Sequence, residues 1–148
     1  MEKQQGFTLV ELVTTIMLIA ILSVVVLPRF FTASSYSAFT LRDEFIGELR
    51  RVQLMAMNNQ DRCYGVNMTA SDYRMMIYQT DCSSVIVTGT AQNLPRNTAI
   101  NLNGNTSFAL VFNRDGGVTS CSAGCVIKVS ADDTLDITIE SQGYIHGR

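Results

Sequence analysis

The chain has 148 residues, with 11 Lys and Arg against 13 Asp and Glu, and its formal net charge is -2. This balance argues against a general nucleic-acid-binding face, which needs a surplus of basic residues. The length suits one domain with a modest core, and the concentration of apolar residues near the N-terminus disfavours both a polytopic membrane protein and a mainly disordered chain. The composition indicates one apolar segment followed by one small water-soluble domain.

The first predicted element is an apolar helix. The run Leu12–Leu27 has no charged side chain, and its only polar ones are Thr14, Thr15 and Ser23, whose hydroxyls can bond to backbone carbonyls. Extended to Phe7–Pro28, the run covers 22 residues, about 33 Å as a helix, which is enough to cross the core of a bilayer. We therefore expect a transmembrane helix here.

Two ordinary explanations of this segment leave Glu11 unexplained. A cleaved secretory signal needs a positive start and a small-residue cleavage site, whereas Lys3 is offset by Glu2 and no such site follows the apolar run. A plain membrane anchor has no use for an acid inside its apolar stretch. An unpaired carboxylate there costs about 2.5–3.5 kcal/mol, and such residues usually have a functional partner.

The residues from Gly6 to Glu11, Gly-Phe-Thr-Leu-Val-Glu, resemble the class III leader of type IV prepilins. The resemblance implies cleavage after Gly6 by a prepilin peptidase and N-methylation of Phe7 as the new amino terminus. Cleavage would create an ammonium close to Glu11, so the terminus of a neighbouring subunit is the natural partner of this carboxylate. The implied partners are other pilin subunits and an inner-membrane assembly platform. Pro28 falls where such subunits commonly carry a helix-bending proline.

A second helix is predicted from residue 38 to residue 59. Its apolar residues recur at spacings of three or four and form one stripe: Leu41, Phe45, Leu49, Val52 and Ala56. With no strong breaker before it, we expect the two helices to form one rod bent at Pro28. The predicted segments are the leader (1–6), the transmembrane and assembly helix (7–31), its amphipathic continuation (32–61) and a β-rich periplasmic or extracellular domain (62–148).

From residue 62 onward the pattern is one of short strands and turns. The predicted strands are Cys63–Met68, Tyr73–Gln79, Val85–Thr88, Ala99–Leu102, Phe108–Phe112, Val126–Val129, Leu135–Ile139 and Tyr144–His146. Asn103-Gly104 is a hairpin signal between the fourth and fifth of these strands. A helix that carries antiparallel sheet is an α+β fold, as the resemblance to pilins also implies.

The four cysteines are predicted to form two disulfides, since an anchored domain of this topology lies in an oxidising compartment. Of the three possible pairings, we favour Cys63 with Cys82, which joins neighbouring strands, and Cys121 with Cys125, which closes a Gly-rich turn. A zinc site from all four thiolates is the alternative, but the C-x2-C pairs typical of such sites are missing. No cofactor or metal is expected.

His146 and three aspartates offer weaker candidate sites. His146 is the only histidine, and no G-x-S-x-G motif accompanies it, so a surface role is expected rather than catalysis, and the protein is not expected to be an enzyme. Asp132, Asp133 and Asp136 lack the spacing of an EF-hand loop, which favours a solvated turn over a calcium site.

A patch of arginines on the second helix is the remaining candidate binding site. Arg50 and Arg51, with Arg42 and Arg62 nearby, could face DNA, but neighbouring acids neutralise much of their charge. We expect a solvated helix face, and nucleic acid is an unlikely partner.

The predicted function is that of a minor pilin, held in the bacterial inner membrane and then assembled into a pilus. The Thr14-Thr15 pair and the junction at residues 28–31 most resemble minor pilins of mannose-sensitive haemagglutinin (MSHA) pili. Residues 112–117 and 143–145 resemble the H-type pseudopilin of type II secretion, which is the alternative assignment. A DNA- or ligand-binding pilus tip protein is the alternative from a different class, and a membrane-tethered enzyme is a distant one.

Overall fold

A computed structural model describes the backbone of residues 7–32 and 38–148, and the side chains of residues 7–24 and 38–148. The helices are α1 (Leu9–Thr32) and α2 (Ala38–Asn58). The strands are β1 (Cys63–Met68), β2 (Asp72–Tyr78), β3 (Val85–Thr88), β4 (Gln92–Asn93), β5 (Ala99–Leu102), β6 (Phe108–Phe112), β7 (Cys125–Ser130), β8 (Thr134–Ile139) and β9 (Ile145–Gly147). A single 3-10 turn at Thr119–Cys121 precedes β7.

The strands form two antiparallel sheets. The first has the order β3-β2-β1-β6, with β4 also paired to β2, and the second has the order β5-β7-β8-β9. In the first sheet, β1 pairs with β2 from Cys63 opposite Tyr78 to Met68 opposite Tyr73. In the second, β7 and β8 pair over their full length. All strand pairs in the two sheets are antiparallel, and short turns connect those that are consecutive in the chain, such as β1 with β2 and β7 with β8.

The core lies between α2 and both sheets. The buried stripe of α2 consists of Ala38, Leu41, Phe45, Ile46, Leu49, Val52 and Ala56. Phe45 meets the ring of Tyr73 edge to face, with 5.1 Å between the ring centroids, and Leu110 of β6 and Ile127 of β7 are fully buried in the same cluster. The predicted apolar spacing thus marks the face of α2 that packs on the sheets.

The α+β fold predicted from the sequence is confirmed, with most strand boundaries within one residue of those expected. The predicted hairpin between β5 and β6 is wrong. Asn103 and Gly104 do form a tight turn, with φ of 52° and 84°, and the N–H of Leu102 donates to the carbonyl of Asn105. After this turn, however, β6 pairs with β1 in one sheet while β5 pairs with β7 in the other. Burial of apolar residues in two different sheets overrides the local hairpin signal.

The chain divides into two compact units, one that contains α1 and one that spans Tyr36–Arg148. The backbone of α1 is helical through Pro28. The expected continuity of the two helices depends on residues 33–37, which lie outside the described part of the chain, as does Gly6.

Candidate functional site: the N-terminal segment and the ties of the domain

The start of α1 is organised by Thr8. The N–H of Glu11 donates to Thr8 Oγ1 at 3.2 Å, and the N–H of Leu12 donates to the Thr8 carbonyl, so Thr8 is the N-cap residue. Glu11 occupies the third helical position, and Thr-x-x-Glu is the spacing of a capping box. The sequence analysis missed this role, although the spacing alone carries the signal. Glu11 therefore also places a negative charge at the positive end of the helix dipole.

The hydroxyl groups inside α1 bond to their own helix. Thr14 Oγ1 donates to the Glu11 carbonyl at 3.0 Å, and Thr15 Oγ1 donates to the Leu12 carbonyl at 2.8 Å. Ser23 Oγ donates to the carbonyl of Ile19 at 2.7 Å. These bonds leave each hydroxyl proton satisfied without water, which suits a helix in an apolar environment.

The apolar side chains of α1 that the structure describes are exposed on all sides. Phe7, just before the helix, is 78% exposed, and the large apolar residues of α1 from Leu9 to Val24 range from 40% to 79%. Among the residues that the structure describes, no helix is both long enough and apolar enough to cross a membrane.

All four cysteines are disulfide-bonded in the structure. Cys63, at the start of β1, is joined to Cys82 after β2, with their Cα atoms 5.3 Å apart. Cys121, in the 3-10 turn, is joined to Cys125 at the start of β7, with their Cα atoms 5.2 Å apart. These are the two pairings that the sequence favoured, and they use up the thiols that a zinc site would need.

Three arginines of α2 form hydrogen bonds or ion pairs within the domain. Arg50 Nη2 donates to the carbonyl of Ile145 at 2.7 Å, and Arg51 makes two hydrogen bonds to the carboxylate of Glu48. The hydrogen bonds to the Glu48 carboxylate, together with its charge, raise the pKa of Arg51. Arg42 pairs with Asp43 and reaches the carbonyl of the last residue. A DNA-facing patch would need these guanidinium groups to be available.

Asp132 has a role that the sequence analysis missed. Its Oδ1 accepts a hydrogen bond of 2.7 Å from the backbone N–H of Ala38, the first residue of α2. The residue was predicted to lie in a solvated turn, and it does lie between β7 and β8, but it also caps a helix 94 residues earlier in the chain. Asp133 bonds only locally, to the N–H of Thr134. No sequence pattern could have linked these positions.

A second long-range tie involves Gln53. Its Nε2 donates to the carbonyls of Gly116 and Gly143, both at 2.6 Å. Gly116 and Gly143 have φ of 83° and 89°, and a Cβ on Gly143 would clash with the carbonyl oxygen of Gly116. Only glycine fits this crossing of two loops. The two segments that resemble the H-type pseudopilin are thereby brought together under α2.

His146 lies in a small surface cluster. Its Nε2 is 3.1 Å from a carboxylate oxygen of Glu140, and its ring stacks on Tyr144 with centroids 5.1 Å apart. Among the residues described, no group of three or more His, Cys, Asp or Glu is arranged to hold a metal ion. The arrangement of His146 is that of a surface contact between β8 and β9.

Comparison with known proteins agrees with this geometry. Residues 1–27 match the model of the prokaryotic N-terminal methylation motif. Two crystal structures of the type IV minor pilin FimU of Pseudomonas aeruginosa strain PAO1 share the fold. The first, in space group P21, has a TM-score of 0.57 and 13% identity, with 72% of this chain and 84% of that chain covered. The second, in space group P65, has a TM-score of 0.56 at the same identity, with 72% and 89% covered.

A search of curated proteins found no match. The chain thus combines the N-terminal methylation motif at residues 1–27 with a fold shared with the type IV minor pilin FimU. At 13% identity the likeness to FimU concerns the fold alone.

Proposed function

We propose that this protein is a minor pilin that is processed after Gly6 and assembled into a type IV pilus. The methylation motif at the start of a chain with the pilin fold is the observation that carries the proposal. A protein with this role is a structural subunit and not an enzyme. Before assembly, the apolar α1 would anchor the chain in the inner membrane with its domain in the periplasm.

Cleavage gives Glu11 its function in this scheme. It removes the leader and exposes the amino group of Phe7, which is then N-methylated in a separate step, two residues before the first residue of α1. That positive charge lies at the positive end of the helix dipole, which is unfavourable by itself. A carboxylate of a neighbouring α1 in the filament offsets it, and the pairing sets the axial register of the two helices.

The pattern of α1 supports its use as both anchor and assembly helix. The described side chains of α1 from Leu12 to Val24 include no charge, and the three hydroxyl groups among them bond to the helix itself. Such a helix exchanges lipid contacts for contacts with other helices without leaving polar groups unsatisfied. Entry into the filament would require a prepilin peptidase and an inner-membrane assembly platform.

Mass spectrometry of the protein isolated from its own cells tests the processing step. We expect the first residue to be a methylated Phe7. An intact Met1 in assembled filaments, or a mature chain that starts elsewhere, would refute the proposal. Gly6→Val should leave the leader attached, because the Cβ branches block the peptidase subsite, while the domain folds as before.

A matched pair of variants tests the role of Glu11. Glu11→Ala should leave membrane insertion intact and lower incorporation into filaments at least tenfold, whereas Thr14→Ala, one turn later on the same helix, should change it less than twofold. The readout is the amount of the protein in sheared pili relative to that in membranes. Equal incorporation of Glu11→Ala and the parent would exclude the charge pairing.

The assignment to an MSHA-type pilus is the finer part of the proposal. It rests on Thr14-Thr15 and on the junction at residues 28–31. The H-type pseudopilin of type II secretion is the alternative, and it is favoured by the hydrogen bonds through which Gln53 joins Gly116 and Gly143, one in each of the segments that resemble it. Deletion of the protein distinguishes the two, since loss of surface pili with normal secretion supports the first, and loss of secretion with normal pili supports the second.

A further inference from the structure

The turn between β8 and β9 presents an aromatic side chain to solvent. Tyr144 lies in this turn and is 65% exposed. Its ring stacks on that of His146, with 5.1 Å between the centroids and 25° between the planes. Two backbone hydrogen bonds, from the N–H of Glu140 to the carbonyl of Tyr144 and from the N–H of Gly143 to the carbonyl of Glu140, close the turn. An exposed aromatic ring that is already held in place loses little conformational entropy when a partner covers it, which suits it as an anchor of a protein–protein contact.

An apolar groove opens between α2 and the first sheet. Its volume is about 590 Å³, and its apolar lining comes from Leu54 and Met55 of α2 and from Met75 and Ile77 of β2. Val87 of β3 lies opposite Ile77 and extends the same face of the sheet. The helix covers this part of the sheet only partly, since Met55, Met75 and Ile77 are not fully buried. Methionine side chains adapt to the shape of a partner and contact aromatic rings favourably, so the groove suits an aromatic side chain.

Polar groups at the rim of the groove match those beside Tyr144. The side chain of Arg51 is half exposed, whereas that of Glu48, to which it bonds, is mostly covered, so the charge that faces solvent at this rim is positive. Glu140, at the start of the β8–β9 turn, has a carboxylate that is more than half exposed. Opposite charges therefore meet when the turn enters the groove. The Asn58 amide also lines the groove and can bond to a tyrosine hydroxyl.

The turn and the groove lie on opposite flanks of α2. Gln53 ties the turn to the helix, because its Nε2 donates to the carbonyl of Gly143, while Met55 lines the groove. In a helix of 3.6 residues per turn, positions 53 and 55 project about 200° apart. Both features therefore contact the C-terminal half of α2, one on each side. When two copies have the same orientation, the turn of one can face the groove of the next.

We propose that Tyr144 of one copy inserts into the groove of a second copy that has the same orientation. The inference rests on the proposed function in one respect, because anchoring through α1 gives every copy that orientation. Since the turn and the groove lie on opposite flanks, each copy gives its turn to one neighbour and receives the turn of another. Such a contact is heterologous and repeats from copy to copy, as a row of subunits requires.

Site-specific photo-crosslinking of the full-length protein in inner-membrane vesicles tests the contact. The photoreactive residue p-benzoyl-phenylalanine replaces Tyr144, which keeps an aromatic ring there, or Val126, an exposed residue of β7 in the same sheet. We expect a product of twice the chain mass to be at least tenfold more abundant from position 144. After reduction and digestion with trypsin, the label should lie in peptide 52–62 or 75–96, which contain the groove residues of α2 and β2.

Three results of this experiment would overturn the proposal. The first is an equal yield from positions 144 and 126, or no product from position 144. The second is a label in a part of the chain other than these two peptides. The third is a product with a different protein in place of the second copy.

A matched pair of variants tests whether the groove receives the ring. With the crosslinker at position 144, Leu54→Glu should lower the yield at least fivefold, because a carboxylate then lies against the ring and faces Glu140. Phe39→Glu, on the same helix, should lower it less than twofold. The two positions are matched in exposure, at 58% for Leu54 and 55% for Phe39. Equal effects of the two variants would contradict insertion into the groove.

Two differently tagged chains test the direction of the contact. The first carries the crosslinker at position 144 together with Leu54→Glu, so only its turn is intact. The second carries Tyr144→Ala, so only its groove is intact. The first chain alone should give less than a fifth of the parental yield, and coexpression with the second should restore at least half of it as a product that carries both tags. No recovery would refute a heterologous contact.

The processing variant separates this inference from the proposed function. Gly6→Val should leave the crosslink from position 144 unchanged, because the turn and the groove both lie outside the processed segment. A crosslink as expected in a protein whose first residue is not Phe7 would refute the processing and leave the contact standing. A correctly processed protein that gives no crosslink from position 144 would refute the contact alone.

Discussion

The Gln53 tie allows the sharpest test of how the domain is held together. Gln53 of α2 bonds through one nitrogen to two loop carbonyls, those of Gly116 and Gly143. Gln53→Met keeps the length of the side chain and removes its donor. Both carbonyls then lose their partner beneath the helix, where water has only partial access.

The expected magnitude follows from these contacts. A hydrogen bond of this kind contributes about 0.5–1.5 kcal/mol, so Gln53→Met should lower the free energy of unfolding by about 1–3 kcal/mol. Gly143→Ala should cost more than about 3 kcal/mol, because φ of 89° strains an alanine and its Cβ clashes with the Gly116 carbonyl. The same Cβ would lie 3.0 Å from Gln53 Nε2 and displace the amide. The double variant should therefore cost less than the sum of the two.

Thermal unfolding of the full chain in detergent, followed by near-UV circular dichroism, measures these costs. At roughly 4 °C per kcal/mol for a domain of this size, Gln53→Met should lower the midpoint by about 4–12 °C. Gln79→Met, at an exposed position, is the control and should shift it by less than about 2 °C. Equal midpoints for Gln53→Met and the control, or costs that add within about 0.5 kcal/mol in the double variant, would show that the tie does not act as described.

Other parts of the structure make three further predictions. Asp132→Ala should lower the free energy of unfolding by about 1 kcal/mol through loss of the α2 cap and speed hydrogen exchange in the first turn of α2, whereas Asp133→Ala should do neither. Replacement of Cys63 and Cys82 together by alanine should cost about 3 kcal/mol, since the disulfide closes a loop across 19 positions, and peptide mapping without reduction checks the pairing. Burial raises the pKa of Tyr78; an unfolded tyrosine ionises near pH 10, so urea midpoints should fall as the pH rises past about 10, and Tyr78→Phe should reduce that fall. A pH dependence unchanged in Tyr78→Phe would contradict this reading.

Local sequence patterns determined much of this protein. The spacing of Leu41, Phe45 and Leu49 predicted which face of α2 is buried, because a helix places every third or fourth residue on one side. Alternation and turn residues located most strands within one residue. The leader and the apolar run are contiguous in sequence, so the motif at residues 1–27 was readable without any fold. The capping role of Thr8 was readable in the same way and was overlooked.

Only the tertiary structure decided how these elements meet. The turn at Asn103 and Gly104 was predicted, but not the separation of its flanking strands into two sheets. The bonds of Asp132 and Gln53 join residues 63 to 94 positions apart. The spacing of apolar residues in α2 shows that one face of the helix is buried. It does not show which residues cover that face, because this depends on how α2 and the two sheets pack together. The exposed edge at β3 was likewise not predictable from the sequence, because the sequence pattern of a strand is the same whether or not another strand pairs with it.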